Sequence, residues 1–538
     1  MHILRKYKWI IYILLLSFAG GFLRFYNLNW GNPFYFHPDE RNIASSLIQM
    51  NFPNQMNPHF FAYGSLPIYL IYFTAYGINF FQKSQPFFEQ TIIISRFYSA
   101  LLSIFLIPSI YFIGTQLVNK KVGIISATFC ALSVGLIQFA HFGTFEIWLT
   151  FLGVWLFYFS LDLLKKIKLS NIVTVGAIFG LLMATKISSF PILIIPVVAI
   201  FSNLLFNIKK QKKVVAKFQI LSINLLKIFL LFLIALIVYI ITSPYVFLDS
   251  KSFLSSMQYE SSVALGTLPV FYTGEFFNSI PIIFQLTKIY PFLINPILTI
   301  IFIPSFTYLL ILYLKKRNPI YLLLIAFFLL LFIPQAFLFA KWTRYIVPTL
   351  PFTYLILAIF LARFINKKLL SVVIFINMVF TLSYFVTVFV KEDTRIQASL
   401  WAKENISYDS SILSEVYDLG IVPFNQYLSN INLFNFYDLD QVSDTKSELT
   451  SALSKSSYII LPSQRILKTR LLNKNKFPTG NTFYEKLLAG KLGYLKIYET
   501  PCGIFCKITY FGDPIFSLEQ TVNVFDRPSV FIFQKNNH

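Results

Sequence analysis

The sequence predicts a mainly α protein: a polytopic membrane helical bundle of about eleven spans with a C-terminal extracytoplasmic α/β domain. Three observations predict it. The 538 residues are 56% hydrophobic and only 13% charged, with a mean hydropathy of +0.65, a surface on which a soluble chain of this length would precipitate. Apolar runs of roughly 20 residues recur, separated by short basic loops. After Phe389 polar residues become frequent and the apolar runs shorten. The expected division is a transmembrane domain over residues 1–390 and a soluble α/β domain over 391–538.

The elements follow in order. Met1–Lys8 is basic and Trp9–Leu23 apolar. This resembles a signal sequence, with small residues at Ala19-Gly20-Gly21, but the many later spans make it read as an uncleaved first helix. The apolar runs lie at 8–24, 91–117, 122–140, 146–164, 170–186, 188–207, 222–242, 291–314, 319–340, 345–365 and 369–390. With these spans the basic loops Arg5–Lys8, Lys120-Lys121, Lys165–Lys168, Lys209–Lys217, Lys315–Arg317 and Lys367-Lys368 all fall on one side, the cytoplasmic one. Residues 66–82 are apolar but short. If they crossed, every loop from Lys120 onward would face outward, so they read as an interfacial or re-entrant helix. Parity makes the chain an integral plasma-membrane protein with a cytoplasmic N-terminus. It places His37–Glu40, His141–Glu146, segment 243–290, Lys341–Arg344 and everything after 390 outside. In the tail, Ser399–Glu404 and Phe483–Leu488 look helical; Ser411–Glu415, Tyr458–Leu461 and Val530–Phe533 look like strands.

Charge excludes some functions. The net charge is +22, yet residues 391–538 hold 16 Lys and Arg against 15 Asp and Glu. The excess sits in loops flanking apolar spans, where it orients the chain and gives no reason to expect nucleic acid. Walker, G-x-G-x-x-G, H-E-x-x-H, G-x-S-x-G and paired CxxC patterns are missing from the sequence, so a nucleotide-fuelled pump and a Rossmann oxidoreductase have no support. Cys130 lies in an apolar run. Cys502 and Cys506 either bridge in an oxidising space or stay free.

The chemistry-bearing residues gather on the outer face. Asp39-Glu40 is an acidic pair beside a bilayer, in a region whose only other acids are Glu89, Glu146, Asp162, Asp249, Glu260 and Glu275. Pro38 and acids in a first turn also suit a plain helix start; a helix start can hold a base rigidly as well. Adjacent residues diverge by about 100° on a helix, so Asp39 and Glu40 need different roles. Glu146 opens a span and would be a third acid there. Lys341 and Arg344 put positive charge on the outer side, against the general bias, and suit a phosphate. Lys186 ends an apolar run near the same boundary, where a Lys is either functional or snorkels to headgroups. His37, His59, Tyr63, His141 and Arg96 are pocket candidates. No spacing demands a metal, although Asp39, Glu40 and Glu146 leave room for a divalent ion.

At these residues the chain resembles the lipid-carrier-dependent glycosyltransferases of the GT-C class, such as protein O-mannosyltransferases and aminoarabinose transferases. The matching pieces are His37-Pro38-Asp39-Glu40, Tyr63-Gly64-Ser65-Leu66-Pro67, His141–Glu146 (the family usually has Asp at the last position), Ala184-Thr185-Lys186 and Lys341–Tyr345 followed by Pro348 and Pro351. In the tail, Ser463-Gln464-Arg465 and Val524–Pro528 resemble bacterial members with an extracytoplasmic domain, without an assigned chemistry. The resemblance implies a polyprenyl-phosphate sugar as donor and an acceptor hydroxyl on protein, lipid or glycan. Asp39 would be the base, Lys341, Arg344 and Lys186 would face the donor phosphate, and Glu40 and Glu146 would orient the acceptor. The aromatics and acids of segment 243–290, with Tyr245, Tyr259, Glu260, Tyr272 and Glu275, would cover the site. The alternative is a transporter or flippase of lipid-linked saccharides. It would want ionisable groups at the midplane of several spans, whereas these gather at one end. A third reading places the function of a sensor or assembly factor in the tail.

Overall fold

The computed structural model describes residues 2–82, 84–268 and 270–536; the side chains of the basic cluster Arg5–Lys8 lie outside the described ones. Among the described residues eight helices are long and apolar enough to cross a membrane: Phe88–Leu117, Glu146–Lys165, Ile187–Lys209, Val214–Thr242, Pro296–Lys316, Pro319–Phe337, Thr343–Phe364 and Lys367–Val390. A ninth forms if Lys120–Ala131 and Val134–His141, bent by 48°, count as one. The run expected at 122–140 is thus broken. Ser133 stops the first half by capping the second, accepting the Leu136 N–H, and its hydroxyl is fixed by Tyr354 at 2.5 Å. Of the two other expected spans, the first lies in the 24-residue helix His2–Phe25, whose side chains are described from Trp9 onward, and the other is the shorter apolar helix Leu169–Thr185. Among the described residues eight or nine helices therefore qualify as candidate spans where about eleven were expected.

Burial orders the spans. The Thr343–Phe364 window is 83% buried and that of Val214–Thr242 only 17%. The first is the centre of the bundle, and the second lays most of its Leu and Ile side chains on the lipid side. The expected interfacial segment is the helix Ser65–Asn79, 15 residues long. At 1.5 Å per residue it measures about 22 Å, short of a hydrocarbon core of about 30 Å.

The tail builds one five-stranded sheet from β1 (Ser411–Glu415), β2 (Asn430–Phe434), β3 (Tyr458–Leu461), β4 (Tyr494–Glu499) and β5 (Phe531–Lys535), in the order β2-β1-β3-β5-β4. β1 runs parallel to β2 and β3, and β5 is antiparallel to β3 and β4. The three strands expected from sequence form its middle. The unforeseen β2 and β4 are edges, largely exposed, and so lack the continuous apolar run that marks a buried strand. Cys502 and Cys506 are joined as a disulfide.

The tail does not sit apart from the bundle. Cys506, Tyr510, Leu518 and Val522 belong to the same apolar core as the membrane helices. Asp526 accepts hydrogen bonds from Gln138 (2.7 Å) and Tyr384 (2.8 Å). Glu519 accepts from the Thr343 hydroxyl at 2.6 Å and its N–H at 3.2 Å. Lys468 is ion-paired with Glu275. Segment 504–526 is therefore a wedge of tail set into the helical part.

Candidate active site at the ends of the spans

A short helix, Pro38–Leu47, holds the two acids in its first turn, with Pro38 at a position where its missing N–H costs nothing. The helical turn sends them to different places. Glu40 is buried and bidentate with Arg96, at 2.9 Å from Nε and 2.6 Å from Nη2. Its Oε1 also accepts the Gly143 N–H at 2.6 Å. Arg96 Nη1 donates to the Leu28 and Trp30 carbonyls. Glu40 and Arg96 thus form a fully buried pair with both partners' side chains at 0% exposure, and neither lines the cavity.

Asp39 does line it. The cavity measures about 690 Å³ and is also walled by His37, Tyr63, Glu146, Lys186 and Arg344. Asp39 Oδ2 accepts from the Arg344 guanidinium at 2.5 Å and the Tyr63 hydroxyl at 2.9 Å. Burial alone pushes the Asp39 carboxyl up, but Arg344, His37, Tyr63 and Lys186 together outweigh it and hold it below its ordinary value. Burial and Asp39 push Tyr63 well above the ordinary phenol value, which keeps its hydroxyl a donor. Burial lowers His37, which sits between the rings of Phe142 and Phe525, so it is neutral near pH 7.

Close backbone contact sets this wall. Gly64 N–H bonds to the Thr185 carbonyl at 2.9 Å, and a Cβ on Gly64 would lie 2.0 Å from the Ala184 carbonyl oxygen. Only glycine lets the Tyr63 loop lie on the Ala184-Thr185-Lys186 turn. Lys186 then reaches over the rings of Tyr63 (5.6 Å) and Tyr345 (5.1 Å). Glu146, first residue of its helix, is 3% exposed, and both its carboxylate oxygens lack a partner among the described residues. Buried unpaired oxygens facing a cavity mark a place where a ligand's donors fit.

The other sequence candidates lie elsewhere. Lys341 is buried, bonds to the Phe339 carbonyl at 3.3 Å and does not line the cavity. The helical turn begins only at Thr343, and the extended Trp342 (ψ 143) turns Lys341 away. His59 is near Asp249, at 3.7 Å. His141 is buried with both ring nitrogens against carbonyls. Of segment 243–290, Tyr259, Glu260 and Tyr272 line the cavity, whereas Tyr245 and Glu275 do not. Burial raises the Glu260 carboxyl. Sequence reasoning missed Tyr345, Tyr417, Gln520 and Thr521 as cavity residues and left Arg465 and Phe525 without a role; all six line the wall. Arg465 and Phe525 fall in the tail resemblance and Tyr345 in the Lys341–Tyr345 piece, whereas Tyr417, Gln520 and Thr521 carried no sequence signal. The three acids offered to a divalent ion do not converge, because Glu40 faces Arg96. Among the described residues no three His, Cys, Asp or Glu side chains cluster as ligands.

The chain matches the Archaeoglobus fulgidus oligosaccharyltransferase tethered with an acceptor peptide over 99% of its own length and 89% of that chain, at 12% identity and TM-score 0.50. It also matches ArnT from Cupriavidus metallidurans in the apo state over 94% and 77%, at 12% identity and TM-score 0.46. The S. cerevisiae protein O-mannosyltransferase Pmt1-Pmt2 complex bound to the sugar donor aligns over 46% and 34%, at 16% identity and TM-score 0.35. No family model and no curated protein matches the sequence. The chain has a GT-C-like membrane fold, mainly helical, with a mixed α/β region at its C-terminal end.

Proposed function

We propose that this protein is an inverting membrane glycosyltransferase that moves a sugar from a polyprenyl-phosphate donor to an acceptor hydroxyl. The observation that carries the reading is the Asp39–Arg344 pair, with Tyr63, at the wall of a large cavity at the ends of the spans. An acceptor hydroxyl needs a base, and a leaving phosphate needs a cation where its second charge develops. Asp39 stays ionised and takes the proton. Arg344, drawn from Asp39 toward the phosphate, and Lys186 stabilise the departing oxyanion. Lys341 has no part in this. Glu146, unpartnered and buried, accepts a hydrogen bond from the acceptor or sugar. Glu40 supports Asp39 through Arg96. Attack opposite the phosphate inverts the anomeric carbon and needs no covalent sugar intermediate. The domain boundary near residue 390 and the opening of the cavity on the extracytoplasmic side are part of the same proposal. The gathering of ionisable groups at one end favours transfer over a transporter, which needs them at the midplane.

The test is release of polyprenyl phosphate by purified protein from a panel of polyprenyl-phosphate sugars. Wild type releases it with at least one donor. Asp39→Asn lowers turnover by about 10²–10⁴-fold. Full turnover by Asp39→Asn removes the base assignment. A reporter at Lys120 is expected to be reachable only from the cytoplasm; labelling from outside overturns the orientation.

A further inference from the structure

Arg465 is a cation without an acid. It lines the cavity from the tail side, and among the described residues it belongs to no ion pair, while its buried Nε has no partner. Glu415 feels its charge but makes no ion pair with it. Burial raises the Glu415 carboxyl to about 8, and Glu415 accepts from Tyr484. Asp418 is held by the Ser463 hydroxyl at 2.5 Å and the Gly420 N–H at 2.8 Å.

The position of Arg465 is built. Gln464 is fully buried and locked by the Ser529 N–H at 2.8 Å and the Pro514 carbonyl. The Arg465 guanidinium lies 5.8 Å from the rings of both Phe271 and Tyr272. Phe271 stacks on Tyr417 at 5.2 Å and 19°. Tyr272 lies 6.0 Å from Trp342, over which Arg344 sits at 4.6 Å. A ladder of rings therefore runs along the cavity wall from Arg344 to Arg465. Tyr417 is 62% and Phe271 38% exposed, so these two rings present faces to the cavity, while Trp342 is buried and Tyr272 half-buried against the apolar core.

Resting on the glycosyl transfer proposed above, we infer that Arg465 and the ring ladder Trp342–Tyr272–Phe271–Tyr417 form an acceptor subsite for a saccharide bearing an oxyanion, a carboxylate or phosphate. Lys186 and Arg344 sit at span ends, beside the bilayer that must hold a polyprenyl chain. Arg465 belongs to the tail and takes the anion of the other substrate. Exposed aromatic faces suit the C–H faces of sugar rings, and a partly desolvated guanidinium with free donors suits a planar oxyanion.

The test uses full-length protein in detergent and reads quenching of intrinsic fluorescence, to which Trp342 contributes. Trigalacturonate is the acidic probe and galactotriose its neutral counterpart. Wild type is expected to bind trigalacturonate about tenfold more tightly at low salt, with the preference shrinking as salt rises. Arg465→Gln abolishes the preference and Arg465→Lys retains part of it. Undecaprenyl phosphate and undecaprenyl diphosphate, as probes of the donor site, are expected to bind alongside trigalacturonate. Equal wild-type affinity for the two trisaccharides overturns the proposal, and needs no variant. Competition between trigalacturonate and either lipid also overturns it, by assigning Arg465 to the donor. Failure of the transfer reaction itself would read differently, as no release of polyprenyl phosphate from any donor.

Discussion

Replacing Glu40 by Gln separates support from chemistry. In the native protein Arg96 has two bonds to the Glu40 carboxylate and two to the Leu28 and Trp30 carbonyls, and its guanidinium lies 4.5 Å from the Trp30 ring centroid. Gln at 40 keeps the shape but removes the compensating charge and points one amide N–H group at the guanidinium. Breaking a buried pair from one side costs about 3–5 kcal/mol. The two carbonyls and the ring remain, so the lower end, about 3 kcal/mol, is expected. The Gly143 N–H, which bonds to Glu40 at 2.6 Å, also loses part of its acceptor. The helix carrying Asp39 then loosens against the loop before Glu146, and turnover falls with stability. The assay pairs apparent Tm in detergent with donor turnover, because unfolding of a membrane protein this size is read as an operational stability. Glu40→Gln lowers both, and the double change Glu40→Leu/Arg96→Leu recovers most of the Tm. Asp39→Asn, at a side chain 24% exposed, lowers Tm less than Glu40→Gln does. Loss of turnover by Glu40→Gln at an unchanged Tm would refute the supporting role and return Glu40 to the chemistry.

Two further outcomes are expected. Gly64→Ala drives a methyl group into the Ala184 carbonyl, 2.0 Å away in the native fold, and must part the Tyr63 loop from the Lys186 turn; turnover falls at least about tenfold, and wild-type turnover would show that this contact is slack. Burial pushes the Glu519 and Asp526 carboxyls up to about 7. The folded state therefore binds protons that the unfolded state has released, and stability declines as pH rises from about 4 through about 7. The protection factors of amides 518–527, exchange rates corrected for their intrinsic base-catalysed rise with pH, should be lower at pH 8 than at pH 5.5; equal protection would show that both acids are ionised in the fold. Asp39 has the opposite sign: its contribution is present above its unfolded value and is lost only as pH falls through its depressed folded value.

The helical membrane bundle with its α/β tail was legible because its signals are local. Apolar run length, basic loops and the composition change after Phe389 each read along a few tens of residues. The limits were local too. A single Ser at 133 breaks the run at 122–140, and two strands at sheet edges carry no apolar run to be seen. The site was legible as a set of residue types at one end of the bundle, from which Asp39, Tyr63, Glu146, Lys186 and Arg344 do meet. Which of them meet, and which turn away, was not.

That was decided by tertiary packing. Asp39 finds Arg344 across 305 residues and Glu40 finds Arg96 across 56, and one helical step between adjacent acids sends the first to the cavity and the second to a buried pair. By itself the sequence determined that the chain threads a membrane and where its scarce acids lie, since hydropathy and charge are properties of the chain. Only the folded structure determined that Lys341 faces away and that the tail brings Arg465, Gln520 and Phe525 to the same wall, since a direction in space belongs to neighbours distant in sequence.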